Sequence, residues 1–477
     1  GRARFDDLLA VEVICGDGGK ARLLLHTFGR SRRNPRVWAA SKVEFWASNG
    51  DMARRWARRA SHWIDAKVER PRRLWVFVNP HGGKGRARDI WADKVAPIFK
   101  VAGISCSVVH THRANHAHDL VSRASPEDLA KHDGIVVVGG DGLFQEVMNA
   151  ILTRDSSQGP QSDGCTVRSP RIRLGHIPAG STDAVAWSLN GSRSPVSAAL
   201  RVALGDRMAM DVMCIKPEKG VPRFSACLAG YGFMGDVMST SEQMRFLGPM
   251  RYDLAGVLVF LKGCRYAVKV RYLPATARPP DSQYVCWESC NWCTDSGRRM
   301  KGLKAPPLTF ATPTDDPPDS AKRPLADASD AGAGRETFPA DVDMEAATDG
   351  DKIKTIEGQF VSVMATVTSC RNDKAPRGVT PYAHLGDGRM HLVVVRRCSR
   401  LQYLKFLLSM AKRGVVQGKF PFVETVDAQG ACFEPQGGCS SWNIDGEVVP
   451  SQRLTMEVRQ RALDVFARGC AMSPRAH

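Results

Sequence analysis

The chain has no long apolar run: the longest, Leu254 to Leu261, ends at Lys262. It falls well short of the roughly 20 residues that a bilayer-crossing helix needs, so no transmembrane anchor is read from it. The GxxxxGK[ST] spacing of a Walker loop is also missing, which argues against the nucleotide-binding fold of that name. Acids are scarce beside bases, 49 against 67, and the formal charge of +18 favours anionic partners. Nucleic acid, nucleotide phosphates and acidic membrane faces all qualify, and charge alone does not choose among them. There is no dense cysteine framework. The 14 cysteines are spread through 477 residues, which fits reduced thiols in a cytosolic setting better than a secreted scaffold. The sequence opens at Gly1, not Met, so targeting signals are not judged from it.

What is present centres on Gly134 to Leu152. Ile135 to Val138 are four β-branched residues in a row, as a strand buried on both faces requires. Leu143, Phe144, Val147, Met148, Ile151 and Leu152 then recur at helical spacing, leaving Gln145, Glu146 and Asn149 on the polar side. Between strand and helix, Gly139, Gly140 and Gly142 let the backbone approach a ligand. They leave Asp141 as the only ionisable group at the tip of the turn. Two readings stand: a working carboxylate, or an Asp that merely caps a helix.

Two further turns of the same kind flank this one. Leu74 to Val78 runs into Asn79, Pro80, His81, Gly82, Gly83, Lys84 and Gly85, then a helix. Leu174 to Ile177 runs into Pro178, Ala179, Gly180, Ser181 and Thr182, then another. Such turns aim backbone amides and a helix N-terminus at phosphate. With a strand near Val108 and the polar group Thr111 to Asn115, they predict a doubly wound α/β domain over about 72–205, its ligand at the carboxyl edge of the sheet. Before it, residues 1–70 predict a small β-module (Ala21 to Phe28, Val43 to Trp46) and a helix with Trp56, Ala60, Trp63 and Ile64 on one face. Arg30, Arg32, Arg33, Arg55, Arg58 and Arg59 are either a solvated face or a contact for anionic headgroups.

From Asp206 the pattern becomes short strands with few long helices: Met210 to Ile215, Phe224 to Ala229, Ala267 to Leu273, Phe360 to Val367 and His391 to Val395. A second domain, 206–475, is therefore expected to be mainly antiparallel β, with an amphipathic helix at Leu401 to Met410. Residues 304–350 have the composition of a disordered insert. Cys286, Cys290 and Cys293 form CxxxCxxC beside it; tetrahedral zinc needs a fourth ligand that no recognisable second pair supplies, so the readings are a metal or regulatory redox site and, ahead of it, reduced and structurally minor thiols.

NPHGGKG (Asn79–Gly85), GGDG (Gly139–Gly142) and PAGST (Pro178–Thr182), in this order and spacing, resemble the diacylglycerol-kinase-like lipid kinase superfamily. Within it, GYGFMGD (Gly230–Asp236), RFLGPMRYD (Arg245–Asp253), CxxxCxxC, RRCSRLQYLKFL (Arg396–Leu407) and SSWNIDGEV (Ser440–Val448) are most similar to the ceramide kinases. The resemblance runs from about Trp38 onward; the insert departs from it, and residues 1–70 look like the C-terminal part of a pleckstrin-homology-like domain. It implies ATP-dependent phosphorylation of the primary hydroxyl of ceramide with Mg2+ or Ca2+, by a cytoplasmic enzyme peripherally associated with an anionic membrane surface and with no part for nucleic acid. It assigns Asp141 as catalytic base. Nucleotide contacts fall on Asn79, Pro80, His81, Thr111, His112, Arg113, Ala114, Asn115, Glu146, Gly180, Ser181, Thr182, Arg245, Arg251, Asp445, Gly446 and Glu447. Lys84 is a further candidate for charge neutralisation. Gly139, Gly140, Gly142 and Asp236 fall to the lipid's polar head. A sphingosine or diacylglycerol kinase would share every phosphate-binding turn, a non-catalytic membrane adaptor would not need Asp141 and Glu146, and a nicotinamide-nucleotide kinase shares only the GGDG turn. Calcium or calmodulin regulation is not legible in the residues.

Overall fold

The computed structural model describes residues 7–15, 21–31, 37–47, 49–67, 69–83, 85–157, 172–263, 265–275, 353–437 and 440–467. Strands β1 (Ala10–Cys15), β2 (Ala21–Arg30) and β3 (Trp38–Ala47) form an antiparallel sheet, and α1 (Gly50–Asp65) packs on it. Asn49 caps α1, accepting from the Met52 amide at 2.8 Å. Trp38 anchors this small layer to the neighbouring lobe. It is buried, stacks on Phe28 at 4.2 Å, lies under the Arg201 guanidinium at 4.6 Å and donates its amide to Ser197 Oγ at 2.8 Å.

The first lobe contains β4 (Arg73–Val78), α2 (Ala87–Ile90) and α3 (Ala96–Val101), β5 (Ser105–His110), α4 (His116–Arg123), α5 (Pro126–Ala130), β6 (Gly134–Gly139), α6 (Asp141–Ser157), β7 (Arg173–Pro178), α7 (Ala184–Asn190) and α8 (Pro195–Ala203). Its strands are parallel in the order β5-β4-β6-β7, as the expected doubly wound sheet demands. Alternation along each strand loads both faces: Phe77, Ile135 and Val137 pack with α6, whereas Val76, Val78, Val136 and Val138 pack with α3 and α8.

The second lobe contains β8 (Met208–Pro217), β9 (Arg223–Ser225), β10 (Leu228–Gly232), α9 (Phe233–Gln243), α10 (Arg251–Lys262), β11 (Tyr266–Pro274), β12 (Lys354–Thr366), β13 (Met390–Arg396), α11 (Arg400–Arg413), β14 (Val423–Gln436), β15 (Ser441–Ile444), β16 (Glu447–Pro450) and β17 (Leu454–Val465). Its strand pairings are antiparallel, and Tyr231, Phe360, Phe433 and Trp442 lie in its core. One stretch differs from the short-strand pattern expected there. Residues 233–262 run as helix, 3-10 turn and helix, because Gly232 at φ 81° ends β10 and buried Gly235, Met238 and Ser241 then follow at helical spacing. The expected strand at Phe224 to Ala229 is likewise split between β9 and β10, because Ala226, Cys227 and Leu228 turn their amides toward Asp445.

The lobes are joined by the last strand. β17 is antiparallel to β8 and β14, then meets β7 in parallel through Val465 and Leu174, so one 14-stranded sheet runs through both. Phe466 seals the joint in the first lobe, where a methyl group at Gly134 would come within 2.6 Å of its ring. Among the described residues no helix is long and apolar enough to cross a membrane. Cys15, Cys106, Cys214, Cys227, Cys370, Cys398 and Cys432 carry free thiols. Cys286, Cys290 and Cys293 and the 304–350 insert lie outside the described residues.

Candidate active site

The three glycine turns meet at the carboxyl edge of the parallel sheet. Their bases are pinned by the sheet itself: the Asn79 amide donates to Val138 O at 3.0 Å, the Ala179 amide to Gly139 O at 3.0 Å, and the Thr111 amide to Val78 O at 2.9 Å. Beyond these bonds the backbones touch. A Cβ on Gly180 would lie 2.5 Å from Gly140 Cα, and one on Gly83, whose φ is +62°, would lie 2.7 Å from Gly180 Cα. Only glycine allows such proximity. Asn79 shapes its own turn, its side-chain oxygen accepting from the His81 amide at 3.0 Å and the Gly82 amide at 3.1 Å. Pro80 sits beside it half-buried, His81 is exposed, and Lys84 lies outside the described residues.

Asp141 begins α6, yet its carboxylate caps a different helix. Its two oxygens accept from the Ala184 and Val185 amides at 2.9 Å each, in the first turn of α7. A carboxylate has about four acceptor positions, so two remain. Both sequence readings of this residue therefore survive in one geometry. Asp183, which sequence reasoning passed over, is the N-cap position of α7, at φ 52°. Buried, it accepts from the Gly180 amide at 2.8 Å and so sets the Gly180–Ser181–Thr182 turn. Burial pushes its carboxyl above the ordinary carboxylate range, against the pull of His176 and with reinforcement from Asp141. The Thr182–Asp183 pair at a helix start was the available signal. Arg193 closes the turn from outside, donating to Ser181 O at 3.3 Å and Thr182 O at 3.2 Å, and pairing with Asp373 at 2.9 Å.

Along α6 the polar side faces neither water nor a single partner. Glu146 points at the start of α4; burial raises its carboxyl pKa, opposed by the amides of Asn115 and Ala117, and its Oε2 has no hydrogen-bond partner among the described residues. His112, Arg113, Ala114 and Asn115 form the exposed lip there, with Asn115 at φ 60° and the His112 and His116 rings 4.5 Å apart. Gln145 and Asn149, on the polar side as expected, bind the second lobe. Asn149 exchanges bonds with the Phe224 backbone at 2.8 and 3.1 Å, and Gln145, itself buried, donates to the carboxylate of Asp445.

Asp445 is held tightly. It accepts from the Ala226, Cys227 and Leu228 amides at 2.8, 3.1 and 2.7 Å, at the first position of a two-residue Asp-Gly turn with φ 49° at Asp445 and 96° at Gly446. Burial nevertheless carries its pKa up to about 6, with the charge of Asp141 adding to the rise. Gly446 is exposed and its amide donates to Asn443; Glu447, also exposed, pairs with Arg223 at 2.8 Å.

The remaining expected site residues sit on the helical segment of the second lobe. Asp236, in the first turn of α9, accepts from Tyr266 and, at 2.5 Å, from Ser440. Arg251, at the start of α10, donates to Tyr252 Oη at 2.7 Å and lies 3.6 Å from Glu242. Arg245 is on the 3-10 turn Arg245–Met250, and its side chain lies outside the described part of the structure. The bonds of Asp236 and Arg251 thus stay within the second lobe and do not reach Asp141.

Comparison with known proteins bears on all of this. The family model described as diacylglycerol kinase catalytic domain matches residues 73–215, and that described as ceramide kinase C-terminal domain matches 329–441. The chain is 32% identical to a ceramide kinase of Homo sapiens over 94% of this chain and 83% of that one. It is 30% identical to one of Arabidopsis thaliana over 94% and 81%. A candidate diacylglycerol kinase from Bacillus anthracis str. Sterne has the same fold, with a TM-score of 0.51 at 16% identity over 83% of this chain and 97% of that one.

Proposed function

We propose a reaction and a part for each residue on one premise: the chain belongs to the ceramide kinases, within the diacylglycerol-kinase-like lipid kinases. It is a lipid kinase that makes ceramide 1-phosphate from ceramide, using ATP and a divalent metal ion. The observation that carries the reading is the convergence of three glycine turns around one carboxylate, Asp141, at the seam of two lobes.

A primary alcohol attacks phosphorus poorly until a base takes its proton. Asp141 is our choice for that base, because the α7 amides fix its orientation and leave acceptor positions open. Glycine brings the turns at 79–83, 139–142 and 178–182 close together, and those of their amides that Asn79, Asp183 and the sheet do not already take suit a triphosphate. Glu146, with an unpartnered buried oxygen beside the 111–115 lip, is suited to donors on the nucleotide such as hydroxyl groups. Asp445, its oxygens already occupied, acts by holding residues 224–228 against α6, and Gly446 and Glu447 continue that edge. Arg245 and Arg251 are assigned to phosphate charge, and Asp236 to the polar head of ceramide. Among the described residues no three His, Cys, Asp or Glu side chains gather as a metal cage, which suits an ion carried largely by phosphate and water. When bound with the nucleotide, Mg2+ or Ca2+ would supply neutralisation of phosphate charge. The β1–β3 sheet with α1 is read as the C-terminal part of a pleckstrin-homology-like module that meets anionic membranes through its arginines.

The test is incubation with ATP and an equimolar panel of ceramide, sphingosine and diacylglycerol, with products identified by mass spectrometry. Ceramide 1-phosphate should dominate; sphingosine 1-phosphate or phosphatidic acid as main product would overturn the assignment, and no product with any lipid would favour an adaptor.

A further inference from the structure

Sixteen large apolar side chains are exposed among the described residues, and nine of them belong to two neighbouring segments. Phe246 and Met250, 83% and 74% exposed, project from the 3-10 turn that leads into α10. Leu254, Val257, Leu258 and Leu261 continue along the outer side of α10, while its inner side buries Ala255 and Val259. Leu401, Leu404 and Leu408 follow at i, i+3 and i+7 on α11, whose inner side buries Tyr403 and Phe406. The end of α10 meets the start of α11: the Phe260 and Tyr403 rings stack at 6.4 Å, and a methyl group at Gly263 would sit 3.0 Å from Arg400 Nε. Scattered apolar residues on a surface are ordinary; seven on two adjoining helices and two more on the turn that leads into the first mark a contact surface.

Charge identifies what covers it. Between Arg400 and Arg413 the sequence holds Arg400, Lys405, Lys412 and Arg413 and no acid. Lys405 and Lys412 fall four and eleven residues after Leu401, on the leucine side of the helix, and both are exposed. Lys262 and Arg265 extend the basic rim at the end of α10. The one acid on α10, Asp253, is paired with Lys374 at 2.6 Å. A partner that takes leucines in its interior and lysines at its edge is the interface of an anionic bilayer.

We infer that the outer faces of α10 and α11 form a membrane-docking surface for anionic bilayers, separate from the arginines of the N-terminal module. Resting on the ceramide kinase reading, this face accounts for how a chain reaches a substrate that lives in a bilayer: α10 begins at Arg251 and packs on α9, which carries Asp236. Docking the outer side of α10 would set the lipid-side residues of the second lobe directly over the headgroup layer.

The experiment uses the full chain and its triple variant Leu258→Ser/Leu404→Ser/Leu408→Ser. Vesicles of phosphatidylcholine with phosphatidylserine are compared with phosphatidylcholine alone in co-sedimentation. Activity is measured on vesicle-embedded ceramide and on a water-soluble short-acyl ceramide. Wild type should bind the anionic vesicles, less so as salt rises. The triple variant should lose at least ~10-fold in vesicle partition and in activity on embedded ceramide, while activity on the soluble ceramide stays within about twofold. Lys405→Glu/Lys412→Glu, which alters only exposed side chains, should weaken binding to anionic vesicles with the same retention of soluble activity. Unchanged vesicle binding in both variants overturns the proposal. So does a wild type that self-associates through this face, its triple variant becoming monomeric with vesicle binding intact. Failure of the kinase reading looks different: neither ceramide is phosphorylated, yet the variants still lose the vesicles.

Discussion

The two walls of the candidate site, one from each lobe, are made of different material. On the first-lobe side the functional groups are backbone amides, exposed by glycines that bring Gly83, Gly140 and Gly180 into van der Waals contact. On the second-lobe side they are side chains whose partners come from far along the chain, such as Gln145 and Asp445, 300 residues apart. A wall of backbone is stiff and chemically passive, so it suits gripping phosphate; a wall of carboxylates is where protons move and where lobes can be tied or released. Asp141 crosses this division: it is a carboxylate, yet it belongs to the first lobe, springing from a glycine turn and oriented by α7. Its replacement should therefore separate chemistry from architecture. Asp141→Asn is expected to lower kcat at least ~100-fold with the far-UV spectrum unchanged, and to cost about 1 kcal/mol of stability because one of two cap acceptors is lost. Near-normal turnover would leave this residue only its capping work.

The passive wall is broken by adding a single methyl group. Gly83→Ala places a Cβ against the Gly180 backbone at a positive φ, and Gly180→Ala does the same against Gly140. Gly83→Ala meets only backbone, whereas the Cβ of Gly180→Ala would also come within 2.7 Å of Asp183 Oδ1, so Gly83→Ala is the cleaner of the two. The expected result is a rise in the KM for ATP of about tenfold or more, since sub-ångström displacement of a positioning loop is costly, with a smaller change in kcat. If kcat falls while KM holds, these turns position the acceptor rather than the nucleotide.

The same contrast explains what the sequence made legible. Runs such as IVVV at Ile135–Val138 and the three glycine turns announce a parallel sheet and its ligand edge, because both rest on local backbone geometry. Asp183 left only the trace of a Thr-Asp pair at a helix start, because its value lies in burial and a left-handed backbone, which that pair does not declare. The partners of Gln145 and Asn149 were out of reach for a related reason: helical periodicity separates polar from apolar but does not say that a second lobe covers the polar side. The length and pairing of β17, which makes one sheet of two lobes, depend on β7 nearly 300 residues earlier and leave no local trace. Asn149→Ala tests the covered side directly. Losing two bonds to the Phe224 backbone should cost about 1–2 kcal/mol in chemical denaturation, with the larger share of any activity loss appearing in KM as the lobes loosen.

The smallest expected effect concerns Asp445, and its sign distinguishes the two walls most finely. Its folded pKa is up near 6 against an ordinary 3.8, so the folded state holds the proton more firmly than the unfolded one. Stability from this group is accordingly full below about pH 4 and declines as pH rises through about 6, the reverse of an ion-paired surface carboxylate. Above that range the three amides of residues 226–228 and Gln145 still share the charge, which is why the carboxylate is tolerated there at all. Asp445→Asn removes the titration, so wild type minus variant stability, followed by urea denaturation between pH 4 and 7.5, should be greatest at the acid end and shrink toward pH 7. A difference that grows with pH instead would mean that Asp445 works as a paired anion, and the second wall would then be held together by charge in the same manner as the Arg223–Glu447 contact beside it.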